Sequence, residues 1–423
     1  MFSLLCLGAC ALDNSEEETD RLSYSDVELS LVDITDADSY SRSVPGWTRG
    51  DAVARAVSAP GGAVIKLVAE VDPPEDAQGR LLQASHVALS SNGQYAAVGY
   101  MLRGDEASGA IDVFNISNPS KPKLQSTHFF PGFDIAAVLV ESGSLFLAGQ
   151  TPDQSGDGRS ARVVSLDFSN SGVVSLSSEK SVQLPGYFAT DLSREDDVLF
   201  VTTGTYSSNQ AAVGIYALDT ETLETSESVT AGYPDARSVV SGGSDVAIFE
   251  AQYSDPATNC RLDIYADGEL ESAPASIDLS AYPATAEAKA KSAYFEDADL
   301  YLVAANRSGI AIVDARRGTL KAGIPAPSLA GSLVPPENQS SNAVSMGDAG
   351  GRDIVLIANG EAGLWVGDGN LVRAQTTSST SSINGSIRFG SGESVNFVAS
   401  RNTLAVAAVG TGGLKMLTIQ VPR

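Results

Sequence analysis

Residues 86–100 read HVALSSNGQYAAVGY. Two apolar runs of strand length flank a polar turn that is rich in Ser, Asn and Gly. Val, Ala, Leu and Tyr beside such turn residues are typical of β-strands joined by a tight reversal. The stretch therefore predicts two antiparallel strands joined by a turn.

The same unit returns along the chain, which makes the sequence a series of repeats. A third apolar strand often follows it, as in GAIDVFNI at 109–116, and usually a fourth, as in KLQSTHF at 123–129. Seven units, spaced 47 to 54 residues apart, predict an all-β fold, a seven-bladed β-propeller over 61–423 with four-stranded blades. Two β-sandwiches would not explain seven comparable units, and a β-helix has a much shorter repeat. The further copies begin at Ala136, Thr190, Arg237, Lys291, Asn342 and Val395.

The last unit lacks a fourth strand. It ends at Arg423, soon after its third strand, GLKMLTI at 413–419. An isolated apolar run, AVIKLVAEV at 63–71, stands before the first full unit. We expect this N-terminal strand to pair with the last blade, because that pairing closes the ring and removes an open sheet edge.

Acidic residues dominate the charge of the chain. Its 423 residues carry 27 Lys and Arg against 52 Asp and Glu, a net charge of −25. Ten acids and one base lie between Asp13 and Asp38, and such a block predicts a solvated, extended tether. Phosphate backbones would be repelled by this charge, so nucleic acid is excluded as a partner.

The N-terminus carries a short apolar run, FSLLCLGA, directly before Cys10. An apolar run that ends in small residues is typical of a secretory signal. The motif LGAC at 7–10 resembles the lipobox of bacterial lipoproteins, in which the Cys becomes the first mature residue and carries the lipid. The resemblance implies a signal peptide at 1–9, lipidation of Cys10 and an acidic tether over 10–60. Ala11, where Asp would imply inner-membrane retention, implies an outer-membrane lipoprotein that faces the periplasm or the cell surface.

A second resemblance concerns the blades. The stretch GAIDVFNISNPSKPKLQS at 109–126 resembles the LVIVD-repeat family of bacterial and archaeal surface propellers. Asn118-Pro119 and Pro122 match the turn after the third strand of that repeat, while Asn115 replaces its usual Asp. GIAIVDA at 309–315 is another close copy. The resemblance implies a propeller on the cell envelope and no single activity.

Polar residues open several of the predicted inner strands. Aligning the seven units places His86, Arg237, Lys291, Asn342 and Asn396 around one mouth of the central channel. Because a channel mouth concentrates the field of basic groups, these residues are candidates to bind an anionic ligand or an acidic partner loop. The alternative is that polar residues simply begin the strands and line a wet channel.

One loop resembles the start of a calcium site. Asp153, Ser155 and Asp157, in DQSGDG at 153–158, offer oxygen ligands at alternate positions before a Gly. The acid that closes such a loop is absent, so a solvated hairpin loop is the alternative. No other cofactor is expected, since the chain has neither a zinc-binding spacing nor a phosphate loop.

Catalysis is limited by a content of only two His. A nucleophile that needs an imidazole base must use His86 or His128, and neither lies in a nucleophile-elbow sequence. We therefore expect a monomeric, non-enzymatic scaffold that binds an envelope protein or an extracellular polymer and reaches the membrane through its lipid anchor alone. The alternatives are a glycan lyase or hydrolase with carboxylates or Tyr at the channel mouth, and a purely structural role.

Overall fold

The structure, a computed structural model, is a ring of seven antiparallel sheets. The predicted seven-bladed β-propeller is confirmed. Each sheet is one blade, and the strand that opens its repeat unit is the inner strand, next to the channel. The described residues are 53–56 and 63–421, without 105, 142, 153–158, 206–212, 253–258, 284–288, 327–333, 336–337, 375–382 and 391.

The first three blades follow the sequence order of their strands. Blade 1 contains β3 (Gln83–Leu89), β4 (Tyr95–Met101), β5 (Ser108–Asn115) and β6 (Lys123–Pro131). Blade 2 contains β7 (Asp134–Glu141), β8 (Ser144–Gln150), β9 (Ala161–Phe168) and β10 (Val174–Leu184). Blade 3 contains β11 (Phe188–Glu195), β12 (Val198–Gly204), β13 (Gly214–Asp219) and β14 (Thr225–Thr230).

Blades 4 to 6 repeat this order. Blade 4 contains β15 (Asp235–Gly242), β16 (Asp245–Ala251), β17 (Cys260–Tyr265) and β18 (Ala275–Asp278). Blade 5 contains β19 (Ala293–Phe295), β20 (Leu300–Ala304), β21 (Ile310–Asp314) and β22 (Thr319–Ile324). Blade 6 contains β23 (Ala343–Asp348), β24 (Asp353–Ala358), β25 (Leu364–Asp368) and β26 (Ile383–Arg388), with the short helix α1 (Gly369–Ala374) between its last two strands.

Blade 7 is built from both ends of the chain. It contains β27 (Phe397–Arg401), β28 (Leu404–Ala408) and β29 (Leu414–Gln420), and its outer strand is β2 (Val64–Val71). β2 pairs antiparallel with β29 along its whole length. The predicted closure of the ring by an N-terminal strand is therefore confirmed.

A buried ion pair holds the closing strands together. Glu70 of β2 lies directly opposite Lys415 of β29, and their Oε2 and Nζ atoms are 2.9 Å apart. Glu393 adds a second carboxylate 3.4 Å from the same ammonium group. Lys415 is only 1% exposed, and its replacement by an apolar residue would leave both carboxylates without their cationic partner.

Four residues within the predicted tether form a strand. β1 (Val53–Ala56) pairs antiparallel with the outer edge of β26, which gives blade 6 a fifth strand. Val53 lies opposite Arg388, and Ala56 lies opposite Gly385. A run as short as β1 has no counterpart in the repeat pattern, so the repeats gave no signal for it.

Apolar side chains fill the spaces between adjacent blades. Between blades 1 and 2, for example, Ile111, Phe133, Ile135 and Leu147 are fully buried in one cluster. Burial of apolar area contributes roughly 25 cal/mol per Å², which makes these interfaces the main source of stability. A blade exposes such a face on both sides when alone, so the blades depend on the ring.

The two faces of the ring differ in their connections. We call the face on which the inner strands begin the loop-bearing face, and the opposite one the turn-bearing face. Strand direction alternates, so the connections between second and third strands and those between blades all lie on the loop-bearing face. Apart from 369–382, which contains α1, the longest connections are on this face: 72–82, 151–160, 279–292 and 325–342.

Candidate functional site

The predicted channel-mouth residues lie where the alignment put them, at the starts of inner strands on the loop-bearing face. All five are buried, with exposed fractions between 1% and 7%. His86 belongs to β3 and Arg237 to β15, whereas the other three lie one or two residues before the inner strands of blades 5, 6 and 7. Because these side chains are buried, their contacts within the ring are described first.

Four side chains near this end of the inner strands bridge to the next blade. Each donates a hydrogen bond to a main-chain carbonyl of the following inner strand or of the two residues before it. We call these bonds the inter-blade latches. They run from Ser85 Oγ to Ile135 O (2.5 Å), Thr190 Oγ1 to Ala236 O (2.7 Å), Asn342 Nδ2 to Val395 O (3.0 Å) and Asn396 Nδ2 to Ala84 O (2.7 Å).

The latch position in blade 1 is Ser85, not His86. The pairing of β3 with β4 shifts register between Ala84 and His86, and the same irregularity surrounds Thr190 in blade 3 and Arg237 in blade 4. A β-bulge of this kind leaves one residue out of the ladder and turns its side chain away. An Ala precedes the bulged position in blades 1, 3 and 4, and it is the sequence signal for this shift.

The residue after the latch position forms a second set of inter-blade bonds. His86 Nδ1 accepts the main-chain N–H of Val138 at 3.3 Å. Asp191 Oδ2 accepts that of Val239 at 3.3 Å, and Ser238 Oγ accepts that of Ser292 at 3.0 Å. The polar ring is therefore used to join adjacent inner strands.

Lys291 joins two blades that are not neighbours. Its Nζ lies 2.8 Å from Asp191 Oδ1 and also donates to the carbonyl of Thr190, so it links blade 5 to blade 3. Burial lowers the pKa of the Lys291 ammonium and raises that of the Asp191 carboxyl, and the attraction between the two groups opposes both shifts. This ion pair neutralises charge inside the ring.

The other two basic groups of the ring also contact side chains within it. Arg237 Nε lies 2.6 Å from Asp235 Oδ2. His86 stacks on Phe397 with 3.6 Å between ring centroids, and burial, with the nearby charge of Lys291, lowers its pKa well below 6.5. His86 is thus neutral at pH 7. The Arg237 Nε and the His86 ring are therefore used in contacts within the ring.

Asp134, a carboxyl at the start of β7, fixes a loop of the preceding blade. Its Oδ1 accepts the main-chain N–H groups of Leu102 and Ser108, both at 3.0 Å. Leu102 is the first residue of the connection 102–107, and Ser108 is the first residue of β5, so Asp134 holds both ends of this connection. Burial raises the pKa of Asp134 to about 7, against the effect of these bonds.

Blade 4 contains a buried acid cluster that the sequence did not indicate. Arg261 Nη2 lies 2.6 Å from Asp263 Oδ2 and 3.2 Å from Glu250 Oε2. The N–H of Tyr233 also donates to Glu250, and its ring lies 5.0 Å from the Arg261 guanidinium carbon. One cation faces two fully buried carboxyls, and burial raises the pKa of Glu250 to about 7.

The remaining predicted sites are not covered by the structure. Asp153, Ser155 and Asp157 lie outside the described residues, and so does Cys10. In the part of the chain that is described, no three His, Cys, Asp or Glu side chains gather as a metal site. Its helices include none with the length and apolarity that a membrane crossing requires.

Comparison with protein-family models and with curated proteins finds no match for this chain. The resemblance of residues 109–126 to the LVIVD repeat and that of residues 7–10 to a lipobox therefore stay predictions. The propeller architecture that the first resemblance implied is established by the structure itself.

Ala136 offers a test of the latches. It occupies the latch position of blade 2, where the register shifts between Ile135 and Ala137, and it has no side-chain donor. In Ala136→Ser, we expect the hydroxyl to reach the carbonyl of Ala189 and to raise the free energy of unfolding by about 0.5–1.5 kcal/mol. Asn396→Ala should lower it by about 1–3 kcal/mol, since it removes a buried donor.

Urea unfolding at pH 7 measures both changes, with Asn170→Ala, in the exposed turn after β9, as the control for an Asn outside the ring. A lower free energy of unfolding in Ala136→Ser, or an Asn396→Ala protein as stable as the control, would contradict the latch assignment.

The pKa of Glu250 predicts how stability depends on pH. Its carboxyl titrates near 7 when folded and near 4.5 when unfolded, so between these values the folded protein keeps a proton that the unfolded chain loses. The free energy of unfolding should therefore decrease as pH rises from 4.5 to 7. Glu250→Gln should flatten part of this decrease, and Asp134, shifted in the same direction, should account for another part.

Urea titrations at pH 5, 6, 7 and 8 would show this, with the exposed Glu224→Gln as the control. Equal pH slopes for the original protein and Glu250→Gln would contradict the assignment.

Proposed function

We propose that this protein is a lipid-anchored, non-enzymatic binding scaffold of the bacterial outer membrane, whose loop-bearing face binds an envelope protein or an extracellular polymer. The observation that carries the proposal is a difference between the channel mouth and the connections on the same face. The basic groups at the channel mouth are ion-paired or neutral, whereas the long connections gather on the same face. A rigid framework that presents loops is a common design for binding.

The connections between second and third strands also carry residues that suit recognition. Tyr206 belongs to the connection 205–213 of blade 3, and Tyr253 to the connection 252–259 of blade 4. Tyr residues are enriched among the anchors of protein interfaces, because a Tyr buries a large apolar ring and keeps a polar tip. An envelope protein or a polymer with exposed hydroxyl groups fits this chemistry.

The position of β1 supports a tethered arrangement. Val53 lies opposite Arg388, at the end of β26 that faces the loop-bearing side, so the chain before Val53 joins the propeller on that side. Between Cys10 and Val53, the fully extended chain would span up to roughly 150 Å. The acids between Asp13 and Asp38 favour an extended tether through mutual repulsion.

The alternative function, a glycan lyase or hydrolase, has less support. Glycoside hydrolases present two carboxyls to the substrate, separated by about 5–10 Å. In the described channel mouth, Asp191 is paired with Lys291, Asp235 with Arg237, and Asp134 with main-chain N–H groups. These carboxyls are buried and are used to hold blades and loops.

Site-specific photo-crosslinking in intact cells tests the proposal. A photoreactive amino acid at Glu106, exposed on the loop-bearing face, should capture a discrete partner. The same group at Ser171, exposed on the turn-bearing face, is the matched control and should capture none. Lipidation is followed by incorporation of a palmitate analogue, which Cys10→Ser should abolish and Cys6→Ser should preserve.

Crosslinks of equal yield from Ser171 would contradict binding by the loop-bearing face. Labelling that survives in Cys10→Ser would contradict the anchor.

A further inference from the structure

Lys291 and Asp191 bring a primary amine and a carboxyl group together inside the ring. Their side chains are only 6% and 9% exposed, and Nζ lies 2.8 Å from Oδ1. The two residues belong to blades 5 and 3 and are 100 positions apart in the chain. Because the folded ring holds both groups in contact, a reaction between them needs no further loss of translational freedom.

The atoms of this pair have the partners that formation of an amide requires. Asp191 Oδ2 accepts the main-chain N–H of Val239 at 3.3 Å, so a negative charge that develops on this oxygen faces a donor. Lys291 Nζ donates to the carbonyl of Thr190 as well as to Asp191 Oδ1, and these two bonds hold the nitrogen beside the carboxyl group. The two carboxyl oxygens therefore have different surroundings, and Oδ1 is the one that can leave.

Burial favours the uncharged forms of both groups. It lowers the pKa of the Lys291 ammonium and raises the pKa of the Asp191 carboxyl, which makes proton transfer within the pair easier. The free amine is the nucleophilic form of Lys. An amide carries no charge, so its formation removes two charges from a buried site.

We propose that Lys291 and Asp191 condense into an intramolecular isopeptide bond, which joins blade 5 to blade 3 covalently. A proton first passes from Nζ to Oδ1, and the lone pair of the free amine then adds to Cγ while the C=O electrons move onto Oδ2. A second proton passes from Nζ to Oδ1, the Cγ–Oδ1 bond breaks, and one water leaves through the channel mouth. The product is a secondary amide, and no oxidant, reductant or other reactant is consumed.

The other buried cations differ from Lys291 in ways that prevent this reaction. The guanidinium of Arg237, beside Asp235, stays protonated and offers no free amine. The ammonium of Lys415 contacts two carboxylates, of Glu70 and Glu393, so a proton given to one leaves the amine facing the charge of the other. We therefore expect a bond at Lys291 alone among these three residues.

Tryptic peptide mapping of the full chain by mass spectrometry tests the proposal. An isopeptide bond blocks cleavage after Lys291, so peptide 181–194 should be recovered joined to peptide 290–307, with a mass lower by one water than their sum. Lys291→Arg keeps a cation beside Asp191 but has no primary amine, and it should release peptides 181–194 and 292–307 separately. Peptide 402–415, which ends at Lys415, is the internal control and should be free in every sample.

The original chain, dissolved from inclusion bodies in urea before it has folded, gives a second comparison that needs no variant. It should release the two peptides separately and should yield the joined species only after refolding. Separate peptides from the folded original protein, or a joined species from Lys291→Arg or from the chain that has not folded, would overturn the proposal. The bond lies within the ring, so the Glu106 crosslink tests the proposed function independently.

Discussion

The pairing of β2 with β29 is the interaction on which the ring depends. Without it, blade 7 has three strands, and its edge offers unpaired N–H and C=O groups to any other strand. The pairing is fixed by the buried contact between Glu70 and Lys415, to which Glu393 contributes a second carboxylate. Since β2 comes from the N-terminal side and β29 from the C-terminal end, the fold is complete only when both have been brought together.

The same requirement explains the polar residues at the channel mouth. Inner strands of adjacent blades are neighbours there, and short side chains such as Ser85 and Asn396 reach the main chain of the next blade. Lys291 connects blades 3 and 5, which are not adjacent, through its ion pair with Asp191. Charges that would be costly to bury alone are paired, so the ring gains rigidity at the channel mouth. Recognition is then left to the connections around this end.

The architecture could be predicted from sequence because each blade must bury apolar faces at a regular spacing. The seven units, the four-stranded blades and the closing strand at 63–71 all follow from that periodicity, and the structure confirms them. The general location of the polar ring also followed from the alignment of inner strands.

The contacts of that ring could not be predicted in the same way. A bulge places Ser85, not His86, at the latch position, and a single preceding Ala is not enough to reveal such a shift. Asp191 and Lys291 are 100 residues apart and meet only through the curvature of the ring. Asp134 and the Glu250 cluster acquire their raised pKa values from burial, which is a property of the folded ring.

Hydrogen exchange measured on a chain that begins at Pro73, and therefore lacks β1 and β2, tests ring closure most directly. If the ring is one cooperative unit closed by β2, the main-chain amides of the inner strands in all seven blades should lose protection together, relative to the full chain. Loss of protection confined to β27–β29, with blades 2 to 5 protected as in the full chain, would contradict this account.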